Sequence, residues 1–266
     1  MIVPGMCSVT FRSLTVDEVA ALVHECGLGA IEWGADVHVP PGDTVSISRA
    51  RAASAGVSTS YGSYLFAGGI DVSPGEVASV MDTAVGLGCT MVRVWTPFGV
   101  LPGDARRSEI VERLHAAAAV GAERGLTLGL EFHGGTLTET ASSTRSLLAD
   151  VGATNLMTYW QPPYWRSERR IPDDDVADVV ALGDMVTNVH VYEWTSAPEL
   201  RRRPLAEGAA RWPAVLDALD ALDALGALGG PQRAALLEFV ADDDPDRFRH
   251  DAATLRSWIA ASGAAL

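Results

Sequence analysis

Leu126-Thr-Leu-Gly-Leu-Glu-Phe-His-Gly-Gly135 is the stretch of sequence that decides the fold. An apolar run of strand length ends in Glu131 and His133, and two glycines then turn the chain away. A strand that is buried on both faces of a parallel sheet reads as a continuous apolar run. A carboxylate and an imidazole at the end of such a run indicate a chemical role for that end of the strand.

Three later stretches have the same form, a short apolar run that ends in a polar residue able to bind metal. Residues 156–160 precede Gln161, residues 186–189 precede His190, and residues 234–237 precede Glu238. The successive spacings from Glu131 are 30, 29 and 48 residues. Because about 30 residues make one strand–helix–strand step, we expect these four polar side chains at the same end of one parallel sheet.

The whole chain alternates between strand and helix patterns, which predicts parallel pairing with right-handed crossovers. The predicted strands are residues 6–11, 30–33, 57–61, 90–95, 126–132, 156–160, 186–192 and 234–240. The predicted helices are residues 15–26, 44–55, 74–87, 104–124, 142–151, 172–182, 212–225 and 245–261. Eight such units predict an α/β fold of the (β/α)8 TIM-barrel type, as a single domain over residues 1–266. The structural alternative is a doubly wound open sheet, but the first strand lacks a Gly-x-Gly-x-x-Gly turn.

Composition excludes several classes of function. The formal net charge of −14 argues against nucleic-acid binding, which needs a basic surface for phosphate contacts. No apolar run reaches the roughly 18 residues that span a bilayer, and no signal-peptide pattern opens the chain, so we expect no membrane association and a cytoplasmic location. Cys7, Cys26 and Cys89 fit buried free thiols in a reducing compartment.

Glu131, Gln161, His190 and Glu238 together offer three oxygen donors and one nitrogen donor. That donor set suits one divalent ion such as Mn²⁺, Co²⁺, Mg²⁺ or Zn²⁺, and the sequence does not choose among them. A thiolate site is not expected, because no cysteine lies at a predicted strand end near these residues. Two carboxylates at one ion can bind it and also move a proton to or from a carbon next to a carbonyl.

At these residues the chain resembles the xylose isomerase-like TIM barrels, a family of sugar phosphate isomerases and epimerases. Gly129-Leu-Glu131-Phe-His133 resembles the Glu-x-His strand end of that family, and Asn188-Val-His190-Val resembles its metal-binding strand. The segment that begins at Pro204 resembles the loop before the seventh helix, and Leu236-Leu-Glu238-Phe resembles the last strand. The resemblance implies that Glu131 and Glu238 are both metal ligands and the two catalytic proton-transfer groups. It also implies a small-molecule carbohydrate substrate and leaves a homo-oligomer open, since dimers and tetramers are common in the family.

The sixth strand departs from the family pattern. Where relatives usually have Asp, often followed three residues later by His, this chain has Gln161 and then Tyr164. The charge of the four-ligand set falls from −3 to −2, so we expect weaker metal affinity and a different substrate contact at Tyr164. These departures put a ketose 3-epimerase assignment in doubt and leave the class of metal site unchanged.

Six further residues at strand ends are predicted to contact substrate. They are Glu32, Tyr64, Trp95, His133, Tyr164 and Arg166. Each has an alternative role: Glu32 is equally suited to holding an arginine, His133 to packing under a loop, and the aromatic residues to forming an upper layer of the core. Arg166, Arg169 and Arg170 would clamp a phosphate or carboxylate if they face the site, although surface arginines on loops are common.

The sequence therefore predicts a cytoplasmic, metal-dependent isomerase or epimerase that acts on a sugar, sugar phosphate or polyol ketone by proton transfer through an enediolate. Three rivals remain. A dehydratase or lyase on the same scaffold would change the mass of the product. An abasic-site endonuclease would need several more histidines and a basic groove. A non-catalytic barrel that binds a ligand would hold no stoichiometric metal.

Overall fold

The computed structural model describes residues 2–166, 170–225 and 232–262. Within them, eight parallel strands form a closed barrel in the order β1-β10-β7-β6-β5-β4-β3-β2. The barrel strands are β1 (Val3–Cys7), β2 (Ala30–Gly34), β3 (Ser58–Gly62), β4 (Met91–Val94), β5 (Thr127–Leu130), β6 (Leu156–Trp160), β7 (Val186–Val191) and β10 (Ala234–Leu237). Strands β8 (Glu193–Trp194) and β9 (Arg202–Arg203) form a small antiparallel pair after β7. The predicted (β/α)8 TIM barrel is confirmed.

Helices alternate with the barrel strands over the described part of the chain. They are α1 (Val16–Glu25), α2 (Thr44–Ala53), α3 (Pro74–Leu87), α4 (Arg107–Ala122), α5 (Ala141–Val151), α6 (Pro172–Leu182), α7 (Trp212–Leu225) and α8 (Pro245–Ser262). Local sequence sets their ends. Thr15 and Ser73 begin α1 and α3 with capping boxes, and Gly88 ends α3 in a left-handed conformation. Among the described residues, no helix is both long and apolar enough to cross a bilayer.

Because successive side chains of a strand point to opposite faces, the barrel strands contribute to two separate parts of the core. Side chains that point out of the barrel pack against the helices in one large apolar cluster. Side chains that point inward form a smaller cluster in the barrel interior. This inner cluster includes Cys7, Ala30, Met91, Tyr159, Ala234 and Leu236. Above it, towards the carboxyl ends of the strands, the inward positions are polar.

The first strand lies earlier than predicted. The sequence pattern placed it at residues 6–11, but β1 is Val3–Cys7, and Ser8–Phe11 form a 3-10 turn. The apolar residues of that turn are buried in two places: Val9 joins the inner cluster, and the ring of Phe11 packs edge-on against Phe248 of the last helix at 5.4 Å. Their burial was therefore mistaken for strand periodicity. The shift places Cys7 at the carboxyl end of β1.

Candidate functional site

The carboxyl ends of seven barrel strands bring together a buried polar cluster. Its members are Cys7 (β1), Glu32 (β2), Arg93 (β4), Glu131 (after β5), Gln161 (after β6), His190 (β7) and Glu238 (after β10). His190 is fully buried, and Glu131 and Glu238 are only 3% and 6% exposed. All four residues of the predicted metal set thus lie in one cluster, at the end of the barrel where active sites of this fold are found.

Arg93 links two carboxylates of the cluster. Its Nε donates to Glu32 Oε1 at 2.9 Å, and its Nη1 donates to Glu131 Oε2 at 2.7 Å. Space for this arrangement depends on Gly62 of β3, because a Cβ there would lie 2.6 Å from Glu32 Oε1 and 2.8 Å from Arg93 Nη2. Glu32 therefore holds an arginine, which is one of the two roles considered for it.

The arginine controls the ionisation of both partners. Burial would raise the pKa of Glu131, but the charges of Arg93 and His190 lower it to about 2. Burial would also raise the pKa of Glu32, but Arg93 and His190 together lower it below the ordinary value. Both carboxylates are consequently ionised at neutral pH, in spite of their location in the barrel interior.

Gln161 presents its amide nitrogen to the carboxylates. Its Nε2 donates to Glu131 Oε1 at 3.0 Å and to the carbonyl oxygen of Phe132 at 2.6 Å, and both of these partners are acceptors. Its Oε1 lies 3.3 Å from the Tyr192 hydroxyl, which donates at the shorter distance of 2.7 Å to the carbonyl oxygen of Pro162. The neighbours therefore determine the orientation of the amide. Ligation through the oxygen, as predicted from the sequence, would require the amide to turn over.

Both predicted catalytic carboxylates approach the same ring nitrogen of His190. Its Nδ1 is 3.3 Å from Glu131 Oε1 and 3.2 Å from Glu238 Oε2, yet neither ring nitrogen has a hydrogen-bond partner within the described chain. Burial lowers the pKa of His190, whereas Cys7, Glu238 and Glu131 raise it, and the net result is well above the ordinary value. The ring would have to lose a proton to bind an ion.

Among the described residues, the atoms that are grouped closely enough to share an ion belong to Cys7, His190 and Glu238, whose ligand atoms lie within 4.8 Å of one another. Two buried, unpartnered imidazole nitrogens next to carboxylates fit a divalent cation. The expectation that no cysteine lies near the site was wrong. It followed from placing the first strand at residues 6–11, which put Cys7 near the start of that strand rather than at its end.

Aromatic rings cover the cluster. Trp95 is stacked with Tyr64 at 5.9 Å and lies 5.2 Å from the His133 ring. His133 Nδ1 donates to the carbonyl oxygen of Gly134, so its Nε2 accepts from the Tyr164 hydroxyl at 2.9 Å. The guanidinium of Arg93 lies beneath this layer, 5.7 Å from the ring centres of both Tyr64 and Trp95. Four of the six predicted substrate contacts thus belong to this aromatic layer, and two of them contact Arg93.

The arginines that were predicted to clamp a phosphate or carboxylate have no described contact with the polar cluster. Arg166 is half-buried and lies near enough to Asp178 to affect the pKa of that carboxyl, and no described contact connects it to the polar cluster. Arg170 is paired with Asp175 at 2.8 Å and with Asp178 at 2.6 Å. Arg169 lies outside the described residues. The described members therefore stabilise the loop before α6.

Two members of the cluster, Arg93 and Cys7, were missed in the sequence. Arg93 interrupts the apolar run Met91-Val-Arg-Val94, and a charged residue inside a buried strand was the signal that could have revealed it. Cys7 carried no such signal, since a cysteine in a barrel strand is ordinarily a small apolar residue.

Comparison with known proteins agrees with this architecture. Residues 20–258 match the sequence profile of a family described as xylose isomerase-like TIM barrel. Functionally curated proteins include no significant sequence match.

Several solved structures have a similar fold. The probable 3-DHS dehydratase AsbF of Bacillus anthracis, involved in petrobactin synthesis, superposes with a TM-score of 0.73 at 17% identity, over 96% of this chain and 99% of that one. An L-ribulose 3-epimerase gives a TM-score of 0.73 at 15% identity, with coverage of 98% and 96%. A xylose isomerase-like TIM barrel protein from Mycobacterium smegmatis in complex with magnesium gives 0.71 at 13% identity, with coverage of 98% for both chains. At these identities the similarity shows the fold alone.

Proposed function

The chain belongs to the xylose isomerase-like TIM barrel family, and we propose that it is an isomerase or epimerase of a sugar, sugar phosphate or polyol ketone. The reaction moves a proton at a carbon next to a carbonyl and passes through an enediolate. One divalent ion, Glu131 and Glu238 carry it out. The observation that carries the proposal is the pair of buried carboxylates that both approach His190 Nδ1, at 3.3 Å and 3.2 Å.

The two carboxylates have different surroundings, and we assign them different roles in proton transfer for that reason. Glu131 accepts from Arg93 and from Gln161, so both of its oxygens are held and its pKa is low. No described side chain donates a hydrogen bond to Glu238. A carboxylate that no donor holds in place is free to reach a proton on the substrate. Glu238 therefore removes the proton from the substrate carbon, and Glu131 serves the opposite face or returns the proton.

Arg93 and Glu32 bind an oxygen of the substrate. Arg93 Nη2 and Glu32 Oε2 are both buried and both lack a partner within the described chain, although Arg93 Nε and Glu32 Oε1 are bonded to each other. A hydroxyl group can accept from the first atom and donate to the second. Because an unpaired buried donor and acceptor are costly, a substrate hydroxyl at this position stabilises the closed site.

The metal would be held by His190 and Glu238. The other two predicted ligands, Glu131 and Gln161, lie beside these residues and are held by Arg93, by the Phe132 carbonyl and by each other. When bound, a divalent ion polarises the substrate carbonyl and stabilises the charge of the enediolate. The aromatic layer of Tyr64, Trp95 and Tyr164 keeps water from the carbon while the proton is transferred.

Two measurements test this function. The first is the metal content of the purified protein, with about one divalent ion per chain expected. The second is deuterium incorporation from heavy water into free and phosphorylated ketopentoses and ketohexoses, followed by mass spectrometry and NMR. Exchange at the carbon next to the carbonyl is expected. A protein that binds no ion under any supplementation and exchanges no proton would be a non-catalytic barrel.

A dehydratase is the second candidate, and one observation favours it. Loss of water requires a proton donor for the departing hydroxyl, and the aromatic layer contains one, the Tyr164 hydroxyl, which is hydrogen-bonded to His133 at 2.9 Å. The same mass-spectrometric assay separates the two reactions. An isomerase leaves the mass of the substrate unchanged apart from deuterium, whereas a dehydratase lowers it by one water.

A further inference from the structure

Cys7 lies in the polar cluster with no role in proton transfer. It is fully buried at the carboxyl end of β1, and its one described hydrogen bond is a long contact to Glu32 Oε1 at 3.9 Å. The sulfur, a ring nitrogen of His190 and a carboxylate oxygen of Glu238 lie within 4.8 Å of one another. Three potential ligand atoms of different chemistry thus surround one point inside the barrel.

The spacing of these atoms suits a small tetrahedral ion. Zinc binds sulfur at about 2.3 Å and nitrogen or oxygen at about 2.0–2.2 Å, so ligand atoms of one tetrahedral site lie roughly 3.3–3.6 Å apart. His190 Nδ1 and Glu238 Oε2 are already 3.2 Å apart. Bringing the sulfur to the same ion requires a side-chain movement of about 1 Å. Both ring nitrogens of His190 are buried and unpartnered, which is a second, independent indication of a ligand at this place.

We propose that Cys7 is a thiolate ligand of the metal, together with His190 and Glu238. The inference rests on the proposed function, because both use the same ion. It adds that the site selects Zn²⁺ or Co²⁺ over Mg²⁺, since thiolates favour soft and borderline ions and Mg²⁺ prefers oxygen. The thiol proton passes to solvent as the metal–sulfur bond forms. Three protein ligands leave a fourth position for a substrate oxygen, as in catalytic zinc sites.

The surroundings of the cluster agree with a softer ion. Gln161 Nε2 donates to Glu131 Oε1, and Arg93 Nη1 donates to Glu131 Oε2. The oxygen donors that a magnesium site would use are therefore engaged elsewhere. Cys7, His190 and Glu238 are free of ion pairs with the described arginines.

The test uses the full-length protein, freed of metal by chelation and titrated with Co²⁺. Three proteins are compared: the wild type, Cys7→Ser and Cys89→Ser. Cys89 is the matched control, because it is equally buried but lies before β4, at the opposite end of the barrel. The readouts are cobalt stoichiometry and the near-ultraviolet charge-transfer band of a sulfur–cobalt bond. The zinc-loaded wild type is measured by X-ray absorption, which detects a sulfur neighbour at about 2.3 Å without any substitution.

The proposal expects one cobalt per chain, with a charge-transfer band that Cys7→Ser abolishes and Cys89→Ser retains. Zinc affinity should fall at least about tenfold in Cys7→Ser, since even loss of an outer-shell partner costs roughly 10–100-fold. Stoichiometric cobalt without the band, or a zinc site without sulfur, would overturn the ligand role of Cys7 and leave the proposed function standing. Absence of any bound ion would overturn both.

Discussion

Arg93 Nη1 lies 2.7 Å from Glu131 Oε2, whereas no side chain in the described part of the chain donates a hydrogen bond to Glu238. Glu131 and Glu238, for which the sequence predicts the same roles, therefore have different chemical environments. One is an ionised anchor for an arginine, and the other is available to take up a proton. This asymmetry determines which substitution should affect chemistry and which should affect the architecture of the site.

Glu238→Gln should lower the rate of proton exchange on the substrate by about 10²–10⁴-fold, because it removes the general base. The neutral amide takes the same volume, so the fold should be retained, although His190 loses one of its two neighbouring carboxylates. The measurement is deuterium incorporation, with the exposed Glu112→Gln on α4 as the control. Exchange at the wild-type rate in Glu238→Gln would contradict the role of Glu238 as base.

Arg93→Met should destabilise the fold by about 3–5 kcal/mol, because it leaves two buried carboxylates without their cation. The matched control is Arg49→Met, which breaks an equally short pair with Asp17 on the surface. Exposed ion pairs are screened by water, so the control should have a much smaller effect. Urea unfolding measures both. Equal effects in the two variants would mean that the buried ion pairs of Arg93 with Glu32 and Glu131 contribute no more to stability than an exposed pair does.

Gln161→Glu should widen the gap in melting temperature between the metal-free and metal-loaded protein. Without metal, the added carboxylate faces Glu131 Oε1 at the 3.0 Å now taken by a hydrogen bond, which is repulsive. With metal, the extra charge strengthens binding and hence stability. Thermal unfolding with and without Zn²⁺ or Mn²⁺ tests this, with the exposed Gln232→Glu as the control. If the difference in melting temperature between the metal-free and metal-loaded protein did not change, residue 161 would not lie near the ion.

Asp251 of α8 should make the protein less stable as the pH rises from about 4 to about 6. Burial raises the pKa of Asp251 from 3.8 to about 6, although the backbone N–H of Leu205 donates to it. The folded state therefore holds the proton more tightly than the unfolded state, and stability falls as that proton is lost. Asp251→Asn keeps an acceptor for Leu205, so it should remove this part of the pH dependence. Chemical denaturation at several pH values measures it, and parallel profiles for the two proteins would contradict the prediction.

Much of the architecture could be predicted from the pattern of residues. Apolar runs of strand length, separated by helices that are marked by caps such as Thr15 and Ser73, are local features and indicate an eight-stranded barrel. Because parallel strands expose their carboxyl ends on one side, the repeated polar endings also predicted that Glu131, Gln161, His190 and Glu238 would lie together. The first strand was misplaced because the burial of Val9 and Phe11 resembles strand periodicity over a few residues.

The sequence by itself determined the barrel and the set of strands that end in polar side chains, since both depend on the local alternation of apolar and polar residues. The tertiary structure decided which of those side chains meet and through which atoms. Only closure of the barrel places Cys7 of β1 next to His190 of β7, 183 residues later in the chain. Only packing against Glu32 and Glu131 gives Arg93 its partners, and only the neighbours of Gln161 turn its nitrogen towards Glu131. Contacts between distant strands, and the direction of a side-chain amide, depend on three-dimensional packing that no local pattern encodes.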